Sequence, residues 1–361
     1  MLKRLHLRNF TVFEDADFEF GPGLNVIVGA NGTGKSHVLK AGYAVFYNML
    51  EQVWESIDGV TLAELSLRDY SNISDRKIRS VFRPVPFQSS ELIRRDTQIP
   101  NAKIELSITG PEGPINGTLT LAPNISKGTE VNWPYVHEMS SHFTIPILIP
   151  PKEVLTMGWL PPLYGRFDIP IDETYPDILQ LLFGPPLRQP EPAHIVAQLQ
   201  QLIGGKVEEE GGHFYLTSTN QPRMEMNLVA EGFRKFATLY KLLVNGCLVS
   251  ATTLFWDEPE ANLNPALLKE MAAVLTELAK AGFQIILATH SLFLLKELHI
   301  LARQEHKPVR YFGLSAQPGE ATTVATADNL ELLPNIVALD AELDQSDRFQ
   351  RVLDQEDANG N

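Results

Sequence analysis

A single cysteine, Cys247, stands among 361 residues, so no internal disulfide can form and the fold has to be held by packing. No helix start or basic cluster adjoins that cysteine, which points to a buried small side chain rather than a reactive thiol. Apolar runs long enough to cross a bilayer are missing. The opening residues MLKRLHLRNF alternate charged and apolar groups, without the continuous apolar stretch of a secretory signal. These absences point to the cytoplasm. Positive charge is scarce: 30 Lys and Arg against 44 Asp and Glu leave a formal net charge of −14. Surfaces that grip nucleic acid through its phosphates are ordinarily basic, so this balance argues against tight non-specific DNA binding while leaving room for a local basic channel. Neither an internal repeat nor a sustained heptad series is present, so no solenoid and no long coiled-coil arm is expected.

The remainder reads as a globular α/β protein. Residues 1–28 alternate into three strands, LKRLHLRNF, DADFEF and LNVIV, with the turn Gly21-Pro22-Gly23 before the third. A glycine-rich loop and a helix from about Lys35 follow; Val38, Leu39, Tyr43, Phe46, Tyr47 and Leu50 recur at helical spacing. Residues 60–205 are loop-rich, with prolines clustered from 145 to 192. A helix is expected around 61–68, and strands at AKIELSITG, GTLTLAP and TIPILI, the last stopped by Pro150 and Pro151. From 206 a hairpin with a Gly-Gly turn precedes an alternation of helix and buried strand: helix 231–245, TTLFW, helix 265–281, QIILAT, helix 291–301. Strands alternating with helices imply a parallel sheet. The expected organisation is one α/β core from residues 1–59 and 206–330, an inserted loop-rich α+β lobe at 60–205, and an acidic terminal helix or tail at 331–361.

Residues 29–36 read Gly-Ala-Asn-Gly-Thr-Gly-Lys-Ser, between a buried strand and a helix start. This is the P-loop pattern in its required setting. Glycines let the backbone wrap and aim N–H groups inward, and the helix N-terminus adds partial positive charge. Lys35 supplies a full charge near the β- and γ-phosphates, and the Ser36 hydroxyl can bind Mg²⁺. Asn31, Gly32, Thr33, Gly34, Lys35, Ser36 and His37 are therefore the expected ATP cradle. The apolar strand TLFW then delivers Asp257 and Glu258 at its end, a Walker B pattern: Asp257 with Ser36 for the metal, Glu258 to orient or deprotonate the attacking water. QIILAT delivers His290 to the same sheet edge, where an imidazole can sense phosphate or water.

In this order the pieces resemble the ABC-type ATPase superfamily. The opening "LHLRNFTVFEDADFEF…GLNVIVGANGTGKS", the DEPE at 257–260 and "LVAEGFRKFATL" at 228–239 are similar to its RecF, OLD and chromosome-maintenance branch, and "IPPKEVL" at 149–155 loosely resembles small bacterial AAA-type ATPases. The resemblance implies a P-loop NTPase head, ATP with Mg²⁺, and a dimer whose partner completes each site through its signature helix, here Glu231 and Gly232. The sequence departs from the family's usual L-S-G-G-Q, since Ala230 lacks the serine hydroxyl and Glu231 places a carboxylate where glycine is common. Asn264 stands where aspartate is common, and the Q-loop glutamine is not placed: Gln88 is a candidate, an ordinary surface glutamine being the alternative reading. No nuclease motif follows His290, so any cutting would fall to a separate protein.

Two readings stay open from the residues: an ATP-driven switch closing and opening two heads, and a scaffold that holds ATP with slow or no turnover. A transporter subunit is disfavoured by the missing L-S-G-G-Q and by Glu260. A DNA-associated role and control of a separate effector, nuclease or toxin, are both compatible. Arg76, Lys77, Arg79, Arg83, Arg94 and Arg95 form a local basic excess, either a helix face paired with acids or a surface for an anionic ligand.

Overall fold

The computed structural model describes residues 1–55, 67–95, 99–110, 113–123, 129–132, 144–218, 222–334 and 337–358. The helix expected around 61–68 lies mostly outside them.

In chain order, β1 (Leu2–Phe10) and β2 (Phe13–Glu19) form an antiparallel hairpin, and β3 (Leu24–Gly29) leads through the glycine-rich loop into α1 (Lys35–Glu55). Next come α2 (Leu67–Phe82), β4 (Ala102–Thr109), β5 (Pro114–Leu121), β6 (Thr129–Asn132) and β7 (Ile147–Ile149). Three helices follow, α3 (Leu160–Leu163), α4 (Thr174–Leu182) and α5 (Ala193–Ile203), then β8 (Lys206–Glu210), β9 (His213–Thr217) and β10 (Met224–Glu225). The last part runs α6 (Glu231–Val244), β11 (Thr253–Asp257), α7 (Pro265–Lys280), β12 (Gln284–Thr289), α8 (Leu292–Gln304), β13 (Val309–Ser315), β14 (Thr323–Ala327) and α9 (Val337–Ala358).

The central sheet has the order β14-β13-β3-β12-β11-β7 and is parallel except for β14. Its strands are apolar nearly throughout because helices or a second sheet cover both faces. Period two decides the face: Leu254 and Trp256 pack with Met271, Leu275 and Phe236 on the helical side, whereas Phe255 points to the cluster formed by α1 and the hairpin β1–β2. Helix α1 lies between the central sheet and the antiparallel sheet β2-β1-β4-β5-β6. Gly42 permits that closeness, since a Cβ there would stand 3.0 Å from the Phe255 ring and 3.5 Å from Leu5. At the base, Gln284 ties the two sheets: its amide accepts from Leu2 N–H (2.8 Å) and donates to Leu2 O (2.7 Å) and Gly21 O (2.8 Å). That buried amide is fully engaged, which is what makes its burial tolerable.

The segment 60–205, expected as an inserted lobe, is woven into the same core. Its β4 pairs with β1, extending the N-terminal hairpin, and its β7 pairs in parallel with β11 as the edge of the central sheet. Helices α4 and α5 contribute Ile178, Leu179, Leu182, Ile195 and Leu199 to the main hydrophobic cluster. The Gly-Gly hairpin is present as β8 and β9, with Gly211 and Gly212 at φ 62° and 83°. The alternating stretch after it forms only the two-residue β10 before a tight turn at Met226–Leu228. Residues 344–355 of α9 are exposed, as a solvated terminal helix would be. Among the described residues no helix is long and apolar enough to cross a membrane.

Candidate nucleotide site

The C-terminal ends of β3, β12 and β11, neighbours in the sheet, converge on one edge. From β3 the loop 30–34 turns into α1. Gly34 adopts φ +92°, and a Cβ there would lie 2.6 Å from Val12 and 2.8 Å from Phe13, so conformation and space both demand glycine. Val38 N–H bonds Gly34 O at 3.0 Å, and the amides before it open the helix, where no helical carbonyl precedes them. Lys35 is buried, its Nζ donating to Gly29 O (2.8 Å) and Ala30 O (3.0 Å). Burial pushes this ammonium down, while Asp257, Glu258 and Glu260 pull it back. The result is a cation held inside a loop of inward amides, which can receive a polyphosphate.

Opposite the loop, β11 ends in Asp257, which is buried and bonded to the Ser36 hydroxyl. Burial pushes its carboxyl up to about 6; the Ser36 bond opposes this and Glu258 adds to it. Its Oδ1 is buried without a hydrogen-bond partner. A hydroxyl beside an unsatisfied carboxylate oxygen fits a hard divalent cation, and a Mg²⁺ with a phosphate ligand takes one or two protein oxygens. Glu258 follows in the left-handed region, φ +49°, rare for a residue with a side chain. Its N–H bonds Ala288 O (3.0 Å), and its carbonyl accepts from the buried Lys235 Nζ of α6 (2.8 Å). His290, half exposed, presents Nδ1 to Glu258 Oε1 at 3.6 Å and to Glu260 Oε1 at 3.4 Å.

The expected residues are brought together unevenly. Lys35, Ser36, Asp257, Glu258 and His290 gather at this edge: Asp257 and Glu258 act on the Lys35 ammonium, Ser36 acts on Asp257, and Glu258 stands 3.6 Å from His290. Asn31 and Gly32 are exposed at the loop tip, and Thr33 caps the loop from within through Ala30 O (2.9 Å). The His37 ring packs edge-on against Phe82 (5.6 Å), and burial drives it down to about 4, so any part of His37 in the cradle falls to its backbone N–H. Glu231 and Gly232 open α6 but face their own chain, Glu231 accepting from Asn262 (2.8 Å) and Gly232 packed on Leu263 and Leu267. Ala230 leaves that helix without a side-chain cap. Gln88 sits before the turn Ser89–Leu92 with its N–H on Pro86 O (2.7 Å), and no bond of it among the described residues reaches the loop. Sequence reasoning missed Lys235 and the place of Glu260; a lysine on the buried face of an amphipathic helix was the available signal for the first.

Most of the basic stretch is paired within the chain, with only Lys77 buried. Lys77 is buried on Asp177 (2.8 Å) and lies 3.8 Å over the Tyr47 ring; Arg79 pairs with Asp75 (2.6 Å) and Arg83 with Asp168 (2.8 Å). Arg95 pairs with Glu91, and Arg94 donates to Val12 O (3.0 Å). Arg76 is exposed.

Known proteins share these parts. Residues 165–296 match the family model described as "AAA domain, putative AbiEii toxin, Type IV TA system", and residues 4–83 match one described as "AAA domain". The DNA replication and repair protein RecF of Desulforamulus reducens is 30% identical over 113 residues, 31% of this chain and 27% of that protein. The DNA double-strand break repair Rad50 ATPase of Archaeoglobus fulgidus is 43% identical over 49 residues, 14% of this chain and 6% of its own. Both alignments thus span under a third of the relative. The solved SMC head domain from Thermotoga maritima superposes with a TM-score of 0.50 at 14% identity, covering 90% of this chain and 98% of that one. This chain has the fold of a solved SMC head and is similar, over parts of its length, to AAA-domain family models and to RecF and Rad50 proteins. A further head, the Smc head domain with a coiled coil and joint from Pyrococcus yayanosii, gives 0.53 at 10% identity over 96% of this chain. Among the described residues this chain has no comparable arm, α1 and α9 being the longest helices at 21 and 22 residues.

Proposed function

We propose that this head binds ATP with Mg²⁺ at the P-loop, hydrolyses it between two copies of the chain, and uses the resulting opening and closing to control a separate effector. The observation that carries the reading is the convergence of Lys35, Ser36, Asp257, Glu258 and His290 at one sheet edge, with Asp257 Oδ1 buried and unsatisfied. Lys35 and the loop amides hold the β- and γ-phosphates. Ser36 and Asp257 hold Mg²⁺, which when bound neutralises charge on the phosphate oxygens. Glu258 accepts a proton from the attacking water, and Lys235 fixes the turn that aims it. The uncapped N-terminus of α6 offers amides to the nucleotide of a second head.

Turnover and binding together test this. Lys35→Ala is expected to lose ATP binding by calorimetry, and Glu258→Gln to bind ATP within a few fold of wild type while turnover falls by at least about 100-fold. Undiminished affinity in the first variant removes the cradle; wild-type turnover in the second removes Glu258 from catalysis. Wild-type turnover no faster than that of Glu258→Gln favours the slow scaffold instead, for which the altered signature residues Ala230 and Glu231 speak. The toxin–antitoxin description over residues 165–296 supports an effector-controlling setting. The similarity to RecF supports a DNA-associated one, against which the internal pairing of the basic stretch weighs.

A further inference from the structure

Glu260 is a buried carboxylate whose hydrogen bonds run to the end of β12 rather than to the P-loop. Its Oε1 accepts from the Thr289 hydroxyl (2.6 Å) and from His290 N–H (2.9 Å), and stands 3.4 Å from His290 Nδ1. Thr289 is itself held, its hydroxyl oxygen accepting from Ser291 N–H (3.0 Å), and Ser291 caps α8 through Leu294 N–H (3.2 Å). Glu260 Oε2 is buried without a partner. Glu258 Oε1 lies 3.6 Å from the same Nδ1, so two carboxylate oxygens stand within charge-contact distance of that ring nitrogen, neither at hydrogen-bond geometry. A lone pair turned to two carboxylate oxygens is repelled and an N–H is attracted, so the proton belongs on Nδ1.

We propose that Glu260 is a positioning residue for the ATPase reaction: it fixes both the backbone and the Nδ1–H of His290, so that Nε2 is the ring edge presented to the attacking water and the γ-phosphate. The inference rests on the ATPase reading for its consequence in turnover, and on the ring alone for its geometry. Glu260 acts on the imidazole from behind, and its own contacts keep it off the nucleotide. The strand end then delivers His290 in one orientation, where a half-exposed histidine otherwise samples several.

Two readouts decide it. Histidine ring ¹⁵N spectra of the wild-type protein, assigned against His290→Asn, are expected to show His290 protonated at Nδ1, and Glu260→Gln to lose that preference. In turnover, Glu260→Gln is expected to lower kcat about 10- to 100-fold with the KM for ATP changed less than threefold. In the His290→Asn background the same substitution is expected to cost nothing further. A wild-type ring protonated at Nε2 alone overturns the proposal, as does a Glu260→Gln penalty of equal size with and without His290. Should Glu260→Gln fail to fold, Glu260→Asp replaces it, its shorter reach expected to lose the Nδ1 signature and overturning the proposal by keeping it. A wild-type protein that does not hydrolyse ATP sinks the functional reading, and the ring spectra still decide this one.

Discussion

Asp257 shows how a single buried carboxylate can cost stability and confer binding. Burial raises its carboxyl to about 6, so the folded, nucleotide-free head binds that proton more tightly than the unfolded chain does. The native state therefore loses stability as pH rises from about 4 through about 6, by about 3 kcal/mol once the group is fully ionised. Asp257→Asn removes the charge and keeps the shape. In the nucleotide-free state it is expected to melt several degrees above wild type at pH 7, with the difference closing below about pH 4, while the Mg²⁺ dependence of ATP affinity disappears. Melting curves from pH 4 to 8 check this; an Asp257→Asn protein that melts at or below the wild-type temperature at pH 7 contradicts it. The residues of the site that were legible in the sequence share a property: each belongs to a contiguous run whose neighbours announce it. Glycines surround Lys35, an apolar strand precedes Asp257-Glu258, and another precedes His290. Lys235 and Glu260 were not legible as site residues because their meaning lies in partners far along the chain, Glu258 O for the first and Thr289 and His290 for the second.

At the scale of elements, α1, α2 and α4 are joined by a buried polar cluster. Lys77 of α2 bonds Asp177 (2.8 Å) and lies 3.7 Å from Glu173, while the Tyr43 hydroxyl of α1 donates to the same Asp177 (2.7 Å). Burial, with Asp177 beside it, pushes the Tyr43 phenol far up, so it remains a donor at any ordinary pH. Replacing Lys77 by methionine fills the space but leaves two carboxylates without their cation. The expected loss is about 3 kcal/mol, the usual cost of breaking one side of a buried pair. Arg95→Ala, whose arginine is 79% exposed in its pair with Glu91, is expected to cost under about 1 kcal/mol. Urea midpoints measure both; equal losses contradict the distinction between buried and surface charge. The same cluster explains why part of the charge excess was hard to read: Arg79 and Arg95 meet acids four residues away on their own segment, whereas Lys77 and Arg83 meet acids some 85 to 100 residues along the chain. Element boundaries follow a similar logic. β11 and β12 carry five and six buried residues and read as strands, whereas β7 has three, stopped by prolines, and only its pairing with β11 places it in the central sheet.

For the whole molecule, the least legible feature was the way residues 60–205 enter the core. β1 takes β4 as its second neighbour across some hundred intervening residues, and no local pattern states which edge a distant strand will find. The parallel core was legible because strand–helix alternation leaves few topologies open. That core also governs how the molecule would assemble. The P-loop and the acidic edge belong to one end of the sheet, and the opening of α6 is occupied within its own chain by Asn262, Leu263 and Leu267 rather than by its own P-loop. Under the proposed function, the amides at that opening, which no side chain caps, would meet a nucleotide held by another copy. If two heads enclose ATP in this way, hydrolysis ends the enclosure, and removing the proton acceptor preserves it. Glu258→Gln with ATP and Mg²⁺ is expected to double in mass by light scattering, whereas the same variant with ADP, or Lys35→Ala with ATP, stays at the mass of the nucleotide-free protein. Wild-type turnover per head should rise with protein concentration until the dimer is saturated, since only paired heads hydrolyse. A Glu258→Gln protein that binds ATP without changing mass, together with turnover per head independent of concentration, would mean that each head completes its own site and that the opening of α6 serves packing alone.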